Sequence, residues 1–138
     1  MRTLGLDPGS RRIGVALSDT EGRVAVPLEI VSRGAGDQHL HRLAQIVAER
    51  GVARIVVGSP LTLRGETGPA VANVMELVEA LRRAVSIEVV LWDERFSTAA
   101  VEKDWQRAGV SSRQRRGRTD AAAAALILQS YLEAHEQD

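Results

Sequence analysis

Residues 3–30 of the chain are TLGLDPGSRRIGVALSDTEGRVAVPLEI, and this stretch predicts three strands joined by tight turns. Pro8-Gly9-Ser10 and residues 19–22 have the composition of turns. Residues 12–18 alternate between large apolar and small side chains, which is the period of a strand. Pro27 lies within the third strand and cannot donate a backbone hydrogen bond, so this strand is expected at a sheet edge.

Beyond residue 30 the apolar residues recur with helical and strand spacing in turn. The pattern predicts a helix over 37–50, a strand over 53–58, a helix from Pro69, a strand over 87–92, a helix over 97–108, an arginine-rich link, and a last helix over 119–135. Strands that are joined by helical crossovers run parallel to a neighbour. We therefore expect one α/β domain over residues 1–138, with a mixed five-stranded sheet (three antiparallel strands, then two parallel) flanked by helices.

Composition excludes several classes of protein. The chain has 138 residues and no cysteine, which removes disulfides, thiolate metal sites and thiol nucleophiles. Its longest apolar run, residues 121–128, is far shorter than the roughly 20 residues of a membrane-spanning helix. Because a strand-like stretch follows Met1 almost directly, we expect a cytoplasmic protein without a signal peptide. Eighteen basic and eighteen acidic residues cancel, so no overall positive field indicates a nucleic-acid partner.

Acidic residues fall at the ends of predicted strands and at the start of the last helix. Asp7 ends the first strand, and Asp93 and Glu94 end the last one. Sites in open α/β sheets form at the carboxyl ends of strands. If these two strands are neighbours, their carboxylates lie within reach of one metal site.

The last predicted helix carries a carboxylate at the head of its apolar face. Helical spacing places these residues on one face: Asp120, Ala124, Ile127, Leu128 and Tyr131. An inward carboxylate is unfavourable unless a charge compensates it. A divalent cation between Asp7, Glu94 and Asp120 provides that compensation, and hard oxygen ligands suit Mg²⁺ or Mn²⁺. Taken singly, each acid has an alternative explanation. Asp7 can belong to a turn, Asp120 to the start of a helix, and Glu94 to a surface ion pair.

Four blocks of the sequence resemble the YqgF/RuvX family in the correct order. They are residues 5–19 (GLDPGSRRIGVALSD), residues 58–61 (GSPL) with Gly65 and Gly68, residues 93–98 (DERFST), and Asp120 leading into residues 127–132 (ILQSYL). The chain departs from the family at Thr62, where an Asn is common, and in using arginines where the stretch before the last acid is often rich in lysine. The resemblance covers essentially the whole chain.

The resemblance implies an RNase H-like fold and a metal-dependent nuclease, an endonuclease, with two Mg²⁺ or Mn²⁺ ions. Carried over by position, the catalytic and metal-binding acids are Asp7, Glu94 and Asp120, with Asp93 as an alternative ligand to Glu94. Members have been described both as nucleases that mature the 5′ end of the small-subunit (16S) ribosomal RNA precursor and as Holliday junction resolvases. The expected partner is accordingly pre-16S rRNA, with branched DNA as the alternative, and the protein is a monomer or a homodimer.

Two segments are predicted to hold the nucleic acid. The loop over 59–68 leaves the carboxyl end of a strand, and its contact candidates are Ser59, Thr62 and Arg64. The arginine-rich link supplies phosphate contacts from Arg113, Arg115, Arg116 and Arg118. The three histidines, His39, His41 and His135, lie outside the motifs and are expected to face solvent. A non-catalytic RNA-binding module for ribosome assembly needs the arginines without the acids and stays open, whereas a sugar-kinase-like enzyme needs a second domain that this length does not provide.

Overall fold

The computed structural model describes residues 1–59, 69–93 and 112–135, with only the backbone described at residues 69–70 and 112–120. The elements are β1 (Arg2–Pro8), β2 (Arg12–Ser18), β3 (Ala25–Ser32), α1 (Gln38–Arg50), β4 (Val52–Ser59), α2 (Pro69–Ala84), β5 (Glu88–Asp93) and α3 (Ser112–Ala134). The predicted helix over 97–108 and most of the loop over 59–68 lie outside the described residues. The other predicted elements are present within a few residues of their expected bounds, except for the start of the last helix.

The five strands form one mixed sheet in the order β3-β2-β1-β4-β5. β1 pairs antiparallel with β2, and β2 pairs antiparallel with β3. β4 pairs parallel with β1, and β5 pairs parallel with β4. The predicted sheet is therefore confirmed, as is the edge position of the strand that contains Pro27.

The edge strand β3 does not bury its apolar residues as a regular alternation suggests. Its pairing with β2 shifts register between Val15 and Ala16. Val26 and Ile30 are exposed, whereas Val31 is buried. An irregular register changes which side chains reach the core, and the alternation of residue types alone does not reveal it.

The two faces of the sheet carry two separate apolar clusters. On one face, β1, β2, β4 and β5 pack against α1 and α2 through buried residues such as Leu6, Ile55 and Leu77. On the other face, Ala16 and Val56 pack against α3. Successive residues of a strand point to opposite faces, so alternate positions of β1 and β4 contribute to different clusters.

Helix α3 lies directly on the backbone of β1 and β4 because both strands present glycine to it. A Cβ atom at Gly5 would lie 2.7 Å from Leu128 Cβ, and one at Gly58 would lie 2.5 Å from Ile127 Cδ1. Only a residue without a side chain permits this close approach of strand and helix.

The last helix begins at Ser112 and not at residue 119. The prediction of an arginine-rich link before it was wrong, because residues 113–118 belong to the first turns of α3. Arginine and glutamine are good helix formers, and extending a helix that is already anchored by packing is far easier than starting one. None of the helices in the described ranges is long and apolar enough to cross a membrane.

An ion pair ties the edge strand β3 to α1. The Glu29 carboxylate accepts hydrogen bonds from Arg42 Nε at 2.9 Å and Nη2 at 2.6 Å. These bonds lower the pKa of Glu29 below its ordinary value of 4.5. A carboxyl group whose pKa is lower in the folded state stabilises the fold above its unfolded pKa, and this stabilisation is lost as the pH falls through the folded pKa.

We expect Glu29→Gln to lower the free energy of unfolding by about 0.5–1 kcal/mol at pH 7, because the pair is bidentate but partly exposed. The difference from the unmodified protein should shrink below the ordinary pKa of 4.5 and disappear once Glu29 is protonated. Urea unfolding between pH 3 and pH 7 measures this. Glu21→Gln is the matched control, since Glu21 lies 3.8 Å from Arg23 with both side chains largely exposed. Equal losses of unfolding free energy in Glu29→Gln and Glu21→Gln at pH 7 would contradict a stabilising role of the Glu29–Arg42 pair.

Candidate active site

Asp7 lies at the carboxyl end of β1, on the face that α3 covers. It is the penultimate residue of the strand and pairs with Gly14 of β2. Gly5 of the same strand contacts Leu128 of α3, and residues two apart in a strand share a face. The Asp7 side chain is half-buried. The Asp7 carboxylate thus lies at the carboxyl end of a central strand, on the face covered by α3.

Helix α3 runs opposite to β1 and β4, so its amino-terminal half lies toward the carboxyl ends of these strands. Along β4, Arg54 Nη1 donates a hydrogen bond to Tyr131 Oη, and four residues later Gly58 contacts Ile127. Residues later in β4 therefore contact residues earlier in α3.

The same geometry brings the Asp120 position level with Asp7. A Cβ atom at Gly5 would lie 3.2 Å from the carbonyl oxygen of Ala124. From Gly5 to Asp7 the strand advances about 6.8 Å. From Ala124 back to Asp120 the helix advances about 6 Å in the same direction. On these ideal spacings, the Asp120 position of α3 is expected near the strand end that carries Asp7.

The predicted inward face of α3 is confirmed for its described members. Ala124, Ile127, Leu128 and Tyr131 are all buried against the sheet. The side chain of Asp120, at the head of this face, lies outside the described part of the structure.

The strands that carry Asp7 and Asp93 are not neighbours, because β4 lies between them. Ser59 pairs with Asp93, and Leu6 pairs with Val57, so the two strand ends are level across the sheet. Two strand spacings separate them by about 9.5 Å. The condition that β1 and β5 are neighbours, which the sequence left open, is therefore not met, although both strands end on the same side of the sheet.

Strand alternation separates Asp93 from Asp7. Trp92 packs in the cluster beneath α3, and Leu91 packs against the cluster beneath α1 and α2. Asp93 follows Trp92 and therefore belongs to the face opposite α3. Glu94 lies outside the described residues. Among the described residues, no group of three or more His, Cys, Asp or Glu side chains is close enough to hold a metal ion.

The candidate nucleic-acid contacts fall in different places. Ser59 is the last residue of β4 and its side chain is only 1% exposed, so it contributes to the interior and not to a binding surface. Thr62 and Arg64 lie outside the described residues. The four arginines of the predicted link, Arg113, Arg115, Arg116 and Arg118, lie along the first turns of α3. Their backbone precedes the Asp120 position along the same helix.

The histidines do not contribute to this site. His39 was expected to face solvent, but it lies on the buried face of α1 and is only 8% exposed. Burial lowers the pKa of His39, so the ring is neutral at pH 7. His135 stacks on Tyr131 with ring centroids 4.2 Å apart, near the opposite end of α3 from Asp120. Helical spacing carries a signal for this burial, since His39 lies four and seven residues before the buried Leu43 and Ile46 and shares their face of α1.

Trp92 links the end of β5 to α3. Its Nε1 donates a hydrogen bond to Ser130 Oγ at 2.7 Å, and its ring meets that of Tyr131 edge-on at 5.4 Å. Both contacts hold α3 against the outer strand immediately before Asp93. Such packing fixes the orientation of the helix that carries Asp120.

Sequence reasoning missed one residue that holds the turn after Asp7. The Arg33 guanidinium donates hydrogen bonds to the carbonyl oxygens of Gly9 at 3.2 Å and Asn73 at 3.1 Å. Arg33 is one of seventeen arginines and belongs to none of the motifs, so nothing in the sequence distinguishes it. Its contacts exist only once β3 and α2 are in place.

Comparison with solved structures identifies the fold as RNase H-like. Thermus thermophilus RuvC in complex with Holliday junction substrate superposes with a TM-score of 0.61 at 16% identity, covering 99% of this chain and 96% of that one. The fowlpox virus Holliday junction resolvase has a TM-score of 0.56 at 13% identity, covering 97% and 99% of the two chains. At these identities the likeness establishes the fold and nothing further.

The chain belongs to the RuvX family, whose model is described as Holliday junction resolvase and matches residues 1–134. A relative from Chloroflexus aggregans is 44% identical over 131 residues, which span 95% of this chain and 92% of the relative. One from Desulforudis audaxviator is 46% identical over 132 residues, which span 96% and 94%. Both bear the name "Putative pre-16S rRNA nuclease". The family suggested by the four sequence blocks is confirmed.

Proposed function

We propose that this protein is a divalent-metal-dependent nuclease that processes the 5′ end of pre-16S rRNA in the cytoplasm. The observation that carries the proposal is that Asp7 lies at the carboxyl end of β1, the end toward which the amino-terminal half of α3, with the Asp120 position, extends. Relatives that are 44% and 46% identical to this chain bear the corresponding name, which supports the choice of substrate.

The donor chemistry of the site fits a hard divalent cation. Asp7 is a carboxylate at the carboxyl end of β1. The residues proposed to complete the set of metal ligands, Glu94 and Asp120, are carboxylates too. Oxygen ligands without histidine or cysteine are those that Mg²⁺ and Mn²⁺ prefer. When bound, such ions supply a nucleophilic water and stabilise the charge on the leaving oxygen of a phosphodiester.

The protein's own residues position the substrate and keep the carboxylates in place. Asp7 and Asp120 are proposed as ligands from two elements that pack directly on one another, β1 and α3. Glu94 is the better candidate for the third ligand, since alternation places Asp93 on the face opposite α3. The arginines at the start of α3 and residues Thr62 and Arg64 are proposed to hold the phosphate backbone of the nucleic acid.

Resolution of Holliday junctions is the second candidate function. The family model carries that description over residues 1–134. The same carboxylates serve both reactions, because each is the hydrolysis of a phosphodiester. The substrate therefore has to be decided by measurement.

Cleavage of a pre-16S rRNA fragment and of a four-way DNA junction, each with Mg²⁺ or Mn²⁺, tests the proposal. We expect the RNA to be cut. Glu94→Gln should reduce the cleavage rate by about 10²–10³-fold, because a ligand of the charge-stabilising site is removed. Asp93→Asn is the matched control and should retain most of the activity.

The outcomes separate the alternatives. Cleavage of the junction alone would assign the protein to DNA recombination. A larger loss in Asp93→Asn than in Glu94→Gln would make Asp93 the ligand. Binding of RNA with no cleavage by the unmodified protein would favour a non-catalytic module for ribosome assembly.

A further inference from the structure

The turn that follows Asp7 is held at two of its carbonyl groups by a single residue, Arg33. The backbone N–H of Arg33 donates to the carbonyl oxygen of Arg11 at 2.7 Å. Its guanidinium Nη1 donates to the carbonyl oxygen of Gly9 at 3.2 Å. Arg33 directly follows β3 and is 24 residues from Gly9 in sequence. The turn is thus fixed from outside the hairpin to which it belongs.

The same guanidinium reaches a third element. Its Nη2 donates to the carbonyl oxygen of Asn73 at 3.1 Å. Asn73 lies in the first half of α2, the helix that follows residues 60–68 of the proposed nucleic-acid loop. One side chain therefore connects the turn after the proposed catalytic carboxylate to the helix that leaves the proposed binding loop.

The turn is tightly closed within itself, so that a shift at Gly9 moves the turn as a unit. It is closed by a hydrogen bond from the Gly9 N–H to the carbonyl oxygen of Arg12 at 2.8 Å. A Cβ atom at Gly9 would lie 2.6 Å from that oxygen, so the two segments are already in closest contact. Asp7 is two residues before Gly9, and a shift of the turn is transmitted to it through Pro8.

We propose that Arg33 is a positioning residue of the nuclease site, which keeps Asp7 in register with the helix that carries Asp120. This inference rests on the proposed function. Catalytic groups have to be held close to their productive geometry, and a displacement of about 1 Å can reduce the rate roughly 10²-fold. Arg33 acts through the turn, and the structure gives its guanidinium two main-chain partners within the protein.

An arginine beside the turn after Asp7 can also bind a phosphate group. The positioning role and the phosphate-binding role predict different kinetics. A positioning residue affects kcat, whereas a phosphate contact affects binding and its dependence on salt. Binding can be measured without turnover in the Asp7→Asn background. The affinity of Asp7→Asn for the RNA fragment should then be unchanged when Arg33→Gln is added.

The test compares steady-state cleavage by the unmodified protein, Arg33→Gln and Arg33→Lys. We expect Arg33→Gln to lower kcat by about 10–100-fold with KM changed by less than about threefold. Arg33→Lys should recover part of kcat, since an ammonium group can still donate to one carbonyl oxygen. Amide hydrogen exchange at Gly9 should become faster in Arg33→Gln, independently of any substrate.

Arg2→Gln is the matched control. Arg2 also belongs to the β1 region and donates through Nη1 to a main-chain carbonyl, that of Arg50 at 3.1 Å, but at the opposite end of the strand. It should unfold at a somewhat lower temperature and keep its kcat. Thermal unfolding of each variant shows whether it is folded, and Arg33→Lys serves if Arg33→Gln is not.

The results distinguish a failure of the positioning role of Arg33 from a failure of the proposed function. An unchanged kcat in a folded Arg33→Gln variant, or a loss confined to binding, overturns the positioning role and leaves the proposed function intact. Absence of cleavage by the unmodified protein overturns the proposed function and this inference with it.

Discussion

Replacing Asp7 with asparagine is expected to lower the rate of nucleic-acid cleavage by about a thousandfold or more. The substitution keeps the shape of the side chain and removes its charge. A metal ligand contributes several kcal/mol to stabilising the transition state, and each 1.4 kcal/mol is a factor of about ten in rate. Single-turnover cleavage with saturating Mg²⁺ or Mn²⁺ measures the effect.

The structure provides a control of the same chemistry. The Oδ1 atom of Asp19 accepts backbone hydrogen bonds from Arg23 at 2.7 Å and Val24 at 3.0 Å, in the turn between β2 and β3. These bonds lower the pKa of Asp19, and the amide oxygen of an asparagine can accept them too. Asp19→Asn should therefore change stability slightly and leave cleavage unaltered. Asp7→Asn that cuts as fast as the unmodified protein would remove Asp7 from the site.

Gly5→Ala is expected to lower the free energy of unfolding by about 2–3 kcal/mol, because the added methyl group has no room. Its Cβ atom would meet Leu128 Cβ at 2.7 Å and the Ala124 carbonyl oxygen at 3.2 Å, both close to the helix backbone. The helix has to move away from β1 as a unit. The melting temperature should fall by roughly 10 °C, as measured by circular dichroism.

Two other glycines calibrate this prediction. At Gly58 the added Cβ would meet Ile127 Cδ1 at 2.5 Å, the far end of a flexible side chain, so Gly58→Ala should be less damaging. Ile127→Val removes that atom, and the double variant should lose less than the sum of the two single losses. At Gly34 nothing lies within 4 Å, so Gly34→Ala should stay within about 0.5 kcal/mol of the unmodified protein. Equal losses at Gly5 and Gly34 would contradict the packing argument.

Gly5→Ala should also slow cleavage, since the helix that it displaces carries the Asp120 position. The effects on stability and on rate share one cause, the direct contact of α3 with β1. The same direct contact explains why glycines occupy positions 5 and 58 beneath α3.

Much of the fold was predictable from local patterns. The turn residues 8–10 and 19–22, with the alternation between them, predicted the β1-β2-β3 meander, and Pro27 predicted its free edge. These signals lie within a few residues of one another and act through short-range sterics and hydrogen bonding. The start of α3 was not predictable in the same way, because the arginines over 113–118 suit both a solvated link and a helix.

The candidate site likewise has features that the sequence predicts and features that depend on the tertiary structure. The identities of Asp7, Glu94 and Asp120 came from the sequence, since each stands in a motif of the family. That β4 separates the ends of β1 and β5 came only from the sheet, because strand order depends on contacts between distant segments. The burial of Ser59 and the contacts of Arg33 are of this second kind.

The sequence by itself determined the strands, the turns, the family and the acids, because these depend on residue types at short spacing. Only the tertiary structure decided that α3 runs opposite to β1, bringing its Asp120 position level with Asp7, and that Arg33 holds the turn between β1 and β2. Those arrangements arise from packing between residues that are 24 to more than 100 positions apart. Contacts at such separations cannot be recognised from residue types at short spacing.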